Sequence, residues 1–204
     1  MLKIAASLVA AAALIVSLPL TAQSLPGIAN AKRVAAGAYK IDTNHTQVFW
    51  TVNHMGLTPL TGAFSASGGT LQIDLTKPAS SKVSVTFDMT GMSTTLPAFT
   101  HHLSSTDFFD VDKFPTAAFS STAVAVSGNH ARINGNLTIK GVTKPVVLDA
   151  ILFGAGTNPM TKKLNLGFTA TTKVRRSDFG LGYALPVVGD QIDLRITAAF
   201  ERDE

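Results

Sequence analysis

Apolar side chains recur at every second position along most of this chain, and that two-residue period constrains the fold more than any other feature. It is the signature of strands with one buried face. The pattern is clear at Val48, Trp50, Val52 and at Val83, Val85, Phe87, Met89. It returns at Leu71, Ile73, Leu75, at Ile133, Gly135, Leu137, Ile139, and at Val146, Leu148, Ala150, Leu152. Two later runs are Leu164, Leu166, Phe168, Ala170 and Ile192, Leu194, Ile196, Ala198, Phe200; a strand around Ala118 to Val126 brings the candidates to about eight. Turn sequences such as Ser127-Gly128-Asn129 and Gly141-Val142-Thr143-Lys144-Pro145 join them. No long amphipathic helix competes, and short helical turns are expected around Pro97 to Ser105 and Val174 to Asp178. Gly62 and Gly68-Gly69 fall in strand-like sequence without a G-x-G-x-x-G pattern, so they read as bends or bulges and not as a phosphate loop.

About eight antiparallel strands in one domain stack as a sandwich or close as a barrel. The length of the C-terminal run favours closure, and an eight-strand barrel is wide enough to hold one small ligand. Alternation serves a solid core equally well, so a cavity does not follow from the pattern alone.

Lys3, the apolar run Leu8 to Leu20 and the small residues ending near Ala22 have the order of a secretory signal peptide. Residues 1–22 are therefore expected to be removed, with Ala29-Asn30-Ala31 offering a cut as late as 31. Residues 23–37 are expected to form a flexible segment ahead of one domain over 38–204. The chain has no cysteine, so neither a disulfide nor a lipidated cysteine holds it. Loss of Lys3 lowers the formal charge from +4 to +3. The other basic residues are scattered apart from Lys162-Lys163 and Arg175-Arg176, which is a solvated surface and not a nucleic-acid footprint.

One connection stands out: His101 to Pro115, HHLSSTDFFDVDKFP, packs histidines, carboxylates and phenylalanines where a β scaffold would hold a rim, a lid or a site. Asp107, Asp110 and Asp112 suit turns and helix caps better than acid/base work, with Phe108 and Phe109 as anchors in the core. Ser104, Ser105 and Ser177 lack any nucleophile context. His45 and His54 are nine residues apart, roughly 30 Å along a straight strand and on opposite faces, so they do not suit one metal. His54 shares the parity of Val48, Trp50 and Val52 and faces the interior, where it can bond a backbone carbonyl or a ligand's polar end. Arg175, Arg176 and Asp178 read as an ion pair at the rim, or as an arginine meeting an anionic head group.

Four ordered motifs together resemble the YceI-like polyisoprenoid-binding family, over Tyr39 to Glu201. They are Tyr39-Lys40-Ile41-Asp42 with His45, Val48, Trp50, Val52, His54 and Gly56; His102-Leu103 through Ser105, Asp107-Phe108-Phe109-Asp110 and Phe114-Pro115; Gly135 to Val146; and Arg176-Ser177-Asp178-Phe179-Gly180 with Val188-Gly189-Asp190. The resemblance implies an all-β, lipocalin-like extended antiparallel barrel and a periplasmic location. Its long apolar pore would hold an isoprenoid lipid, polyprenol-type or the tail of a quinone. It implies no catalytic activity and no cofactor other than the bound lipid; transient membrane contact and a homodimer are compatible with it. Two departures are Phe99-Thr100-His101, where the family often carries charge, and Trp50, bulkier than the usual Phe and able to shorten the pore. The residues expected to contact the lipid are Val48, Trp50, Val52, His54, Phe64, Val85, Phe87, His102, Phe108, Phe119, Leu137, Leu148, Leu166, Phe168, Arg176, Leu194 and Ile196. The alternatives are an enzyme acting on a lipid or quinone at the pore mouth through His54, His102 or Asp107, and a filled barrel working through its surface.

Overall fold

Nine strands account for the alternating runs in the computed structural model, which describes residues 24–203. The leader expected over 1–22 lies outside the described residues. The strands are β1 (Gly37–Ile41), β2 (Gln47–His54), β3 (Thr58–Ile73), β4 (Lys82–Ser93) and β5 (Thr116–Ser127), then β6 (His130–Ile139), β7 (Val142–Thr157), β8 (Leu164–Arg175) and β9 (Val188–Arg202). One α-helix, α1 (Pro97–Ser104), and 3-10 turns at Ala31–Arg33, Pro78–Ser80 and Arg176–Phe179 complete the described residues. Among these no helix is long and apolar enough to cross a membrane.

The sheet closes on itself as an eight-strand antiparallel barrel, because β4 pairs with β3 at one end of the order β3-β2-β9-β8-β7-β6-β5-β4. Closure pairs most of the strand edges that an open sheet would expose. β1 and β2 are two halves of one broken stave: both lie between β3 and β9, β1 opposite Thr70 to Ile73 and β2 opposite Thr58 to Ser65. Thr46 repairs the break. Its buried hydroxyl accepts from the Ala199 amide at 3.0 Å, and its carbonyl accepts from the Ala66 amide at 3.2 Å. Backbone groups of β3 and β9 that lose a strand partner there are thus satisfied.

Long strands must coil to close, and bulges supply the extra twist. The register shifts in β3 between Ala63 and Ser65 and between Ala66 and Gly68, and in β7 between Leu152 and Gly154. The bend expected at Gly68 is of this kind. Gly62 serves another purpose: a Cβ there would lie 2.4 Å from Trp50 Cζ2, so the missing side chain makes a seat for the indole. Gly135 seats Phe119 in the same way, at 2.4 Å from its Cζ. An aromatic ring laid over a glycine of the neighbouring strand covers the wall without filling the interior.

The wall has one weak seam. β4 and β5 are joined only from Ser84–Ser120 to Asp88–Thr116, so the second half of β5 pairs with β6 alone. The turn at Pro78–Ser80 covers part of that gap.

Residues 24–36, expected as a flexible segment, lie instead along the barrel. Ile28 forms an antiparallel bridge to Ala155, on the side of β7 that β6 leaves free once it has begun at His130. Asn129 clamps the segment, its Oδ1 accepting from the Ala31 amide and its Nδ2 donating to the Ala29 carbonyl. Arg33 donates to the Pro26 and Ala155 carbonyls. Sequence alone hid this strap because its anchors, one backbone bridge and the side-chain bonds of Asn129 and Arg33, follow no periodic pattern.

Candidate binding site

Inward side chains of the barrel leave a continuous apolar cavity of about 600 Å³ running along the axis. It falls in the range of small-molecule sites, which are concave, mostly apolar and carry few polar groups. Of the residues expected from sequence, Val48, Trp50, Val52, His54, Phe64, Val85, Phe87, His102, Phe108, Phe119, Leu137, Leu148, Phe168, Arg176, Leu194 and Ile196 line it. Leu166 does not. It is 1% exposed and packs into a solid cluster with Tyr39, Leu152, Ala155 and Phe200, where the strap and the β1 stave fill that side of the barrel. Parity identified its face correctly, but a common face does not distinguish core from cavity wall.

The two ends of the cavity differ. At one end α1 and the connection after it cross the barrel. Pro97 opens the helix, where its fixed φ suits the first turn, and Leu103 is its buried contact. The chain then folds back on the helix: the Phe109 amide donates to the Leu103 carbonyl at 3.0 Å and the Val111 amide to the Ser104 carbonyl at 3.1 Å. Asp110 takes the left-handed conformation, φ +50°, which aspartate tolerates in a turn. Lys140, from the β6–β7 turn, donates to the carbonyls of Thr106 and Phe108 and pins the loop from above. His102, Phe108 and Tyr183 then meet edge-on, with ring centroids 5.0, 5.6 and 5.2 Å apart, and form an aromatic plug. Phe109 stacks edge-on against Phe64 at 5.5 Å. His102 therefore faces rings, not a nucleophile. Among the described residues no three His, Asp or Glu side chains gather as a metal set.

Arg176 fixes the rest of this end. Its guanidinium donates to the carbonyls of Leu181, Tyr183 (2.7 Å), Val188 (2.9 Å) and Gly189 (2.8 Å), which ties the segment before β9 to the 3-10 turn. Sequence reading offered it a rim ion pair or an anionic head group; the structure gives its donors to backbone oxygens instead. Burial pulls its pKa below the ordinary guanidinium value, while the Asp190 charge acts the other way. Asp190 caps the turn, accepting from the Ser177 amide at 2.9 Å and the Ser177 hydroxyl at 2.8 Å. Those bonds, and the nearby Arg176 and Arg175, hold its carboxyl below the usual range against a smaller opposing effect of burial.

The opposite end is looser. Leu75, Pro78, Val124, Val126, Asn129 and His130 surround the cavity beside the β4–β5 seam. Leu75 and Val126 are each 53% exposed although they line it, so the cavity reaches the surface between them. Sequence reasoning pointed to the histidine-rich loop as the mouth and missed this slot. Leu75 offered one signal, as the apolar residue that continues the alternation of Leu71 and Ile73 beyond the end of β3. Leu103, Phe109, Phe179, Leu181 and Tyr183 were also missed as lining residues, because they sit in helix and loop positions without a two-residue period.

Comparisons with known proteins agree with this architecture. The profile of the YceI-like domain matches residues 39–200. Protein YceI of Shigella flexneri is 38% identical over 170 residues, covering 82% of this chain and 88% of that protein. The crystal structure of Burkholderia cenocepacia BcnA superposes with a TM-score of 0.67 at 24% identity, covering 78% of this chain and 98% of that one. A polyisoprenoid binding domain from Saccharophagus degradans shares the fold at a TM-score of 0.61 and 9% identity, over 83% of this chain and 100% of its own.

Proposed function

Since the chain belongs to the YceI-like domain family, we propose that it is an exported carrier that shelters the hydrocarbon tail of an isoprenoid lipid, a polyprenol or a quinone, inside its barrel. The observation that carries this reading is the continuous cavity: a closed wall of aliphatic and aromatic side chains around about 600 Å³. The leader read at residues 1–22 supports export, and membership of the family supports a periplasmic location. The polyisoprenoid-binding domain of the same fold in Saccharophagus degradans supports the choice of cargo.

Capacity follows from volume. A methylene occupies much the same ~30 Å³ as a liquid water, so the cavity encloses on the order of 20 carbons, about four isoprene units. At ~0.8 kcal/mol per buried CH₂, such a tail gains roughly 16 kcal/mol before ordering and association costs are subtracted. Longer tails leave the head group and remaining units outside or in the slot. The cavity also argues against a filled barrel acting through its surface. A catalytic role for His102 fits poorly with its seat between Phe108 and Tyr183.

Native mass spectrometry of protein expressed with its own leader, followed by solvent extraction, tests the reading. A stoichiometric isoprenoid is the expected result. Protein that carries none and takes up neither added polyprenol nor quinone would overturn it.

A further inference from the structure

Exposed apolar side chains gather at both ends of the barrel, Met55, Leu57 and Val187 at the plugged end and a larger set beside the open slot. Four apolar side chains project into solvent there: Leu25 and Ile28 of the strap, Phe153 of the β7 bulge and Met160 at the tip of the β7–β8 hairpin. Leu25, Phe153 and Met160 are 80%, 74% and 87% exposed. They are one patch and not four accidents, because Ile28 is bridged to Ala155 and the Pro26 carbonyl lies against Gly156, which places the strap on β7 between Phe153 and the hairpin. Lys32, Arg33 and Lys162 flank it, all exposed. The nearby carboxylate, Glu201, accepts from the Thr161 hydroxyl at 2.7 Å.

We propose that this flank docks the protein on an anionic lipid bilayer, with the four apolar side chains entering the interface and the three cations meeting head-group phosphates. Protruding apolar residues ringed by cations form the two-part signal that reversible membrane attachment needs. A second copy of the chain fits worse, since a two-fold contact would set the same cations against each other. Asn129 links the surface to the cavity, since it clamps the strap and lines the slot. The docked face therefore stands beside the opening and away from the aromatic plug.

Flotation with vesicles tests the surface. Protein expressed with its own leader and recovered from the soluble fraction is mixed with vesicles of phosphatidylcholine alone or with phosphatidylglycerol added. Binding to the anionic vesicles, weakening as salt rises, is the expected result. Each cation near such a surface contributes about fivefold in affinity, so Lys32→Glu with Lys162→Glu should weaken binding by at least about 25-fold. Phe153→Ser with Met160→Ser should weaken it about tenfold or more even at low salt. Leu57→Ser with Val187→Ser, exposed at the plugged end, should leave it unchanged. All of these positions are exposed, and matched melting temperatures verify folding. Absence of vesicle binding, equal binding by the patch variants, or self-association that the patch variants abolish would each overturn the proposal. Vesicle binding without uptake of polyprenol in detergent solution would keep the surface and refute the carrier.

Discussion

Arg176→Met removes the donor from four backbone carbonyls at once, and the structure fixes what that should cost. The bond to the Leu181 carbonyl is fully buried, and an orphaned buried acceptor costs about 1–3 kcal/mol. The carbonyls of Tyr183, Val188 and Gly189 are partly buried, so water recovers some of each bond; about 0.5–1 kcal/mol apiece remains. The gross loss is about 2.5–6 kcal/mol, trimmed toward the lower half of that range because a buried guanidinium no longer has to be desolvated. In a domain of this size each kcal/mol moves the melting temperature by about 2–4 °C, so a fall of roughly 10 °C is expected. Thermal unfolding followed by circular dichroism, on protein freed of lipid, measures it. Arg176→Lys keeps the charge but not the planar fork, and should recover less than half of the loss. A methionine variant melting within about 2 °C of the parent would refute the assignment. Unchanged melting with lost affinity for an anionic lipid would restore the head-group role instead.

Gly62→Ala places a methyl group where the Trp50 ring now lies, so the indole must swing toward the cavity. Trp50 is the sole tryptophan, and its emission should shift on substitution; a spectrum identical to the parent's would count against the seat described here. Trp50→Ala widens the same level of the pore and should move selectivity toward longer tails in competition between polyprenols, whereas unchanged selectivity would show that Trp50 does not gauge length. The carboxyls of Asp74 and Asp88 are held below the ordinary value chiefly by the Thr76 and Thr90 side chains, and that of Asp190 chiefly by the Ser177 amide. Their folded pKa values are depressed, so their contribution is complete above the unfolded value near 4 and lost as pH falls through the folded one. Melting temperature should therefore decline below about pH 4, and Asp190→Asn should flatten that decline; an unaltered profile would refute the share assigned to Asp190.

The barrel was legible because burial on one face of a strand writes itself as a two-residue period, and eight runs of it leave few architectures. β3 escaped over Thr58 to Thr70, since Pro, Gly, Ser and Thr dominate it and its two register shifts break the alternation wherever it begins. For the site, parity found the wall residues on straight strands, Val48, Phe87, Leu148 and Ile196 among them. It failed at Leu166, where the same face meets packed core. It was silent for Tyr183 and Leu181, which reach the cavity from an irregular segment that Arg176 helps to hold in place. Arg176 itself was misread because sequence shows a charge and not its donors' direction: four carbonyls supplied by residues five to thirteen positions away are not visible before the chain is folded.

A cavity of this size also bears on what the working protein contains. Unfilled apolar volume costs about 24 cal/mol per Å³ where the surroundings cannot relax, which for 600 Å³ is about 14 kcal/mol. That equals the entire net stability of an ordinary domain. Relaxation is what normally lowers the figure, and here it is restricted: apart from the β4–β5 seam and the end of β7, the wall strands are bonded to a neighbour on both sides and cannot move inward without breaking a ladder. Two routes remain, water entering through the slot or a guest occupying the space, and an apolar wall favours the guest. Cargo is then a structural component as well as a passenger, and loading raises stability by the logarithm of its free concentration over its dissociation constant. Substitutions in the wall consequently act twice, once on the barrel and once on the occupancy that supports it. The two effects separate only when stripped and loaded protein are melted side by side.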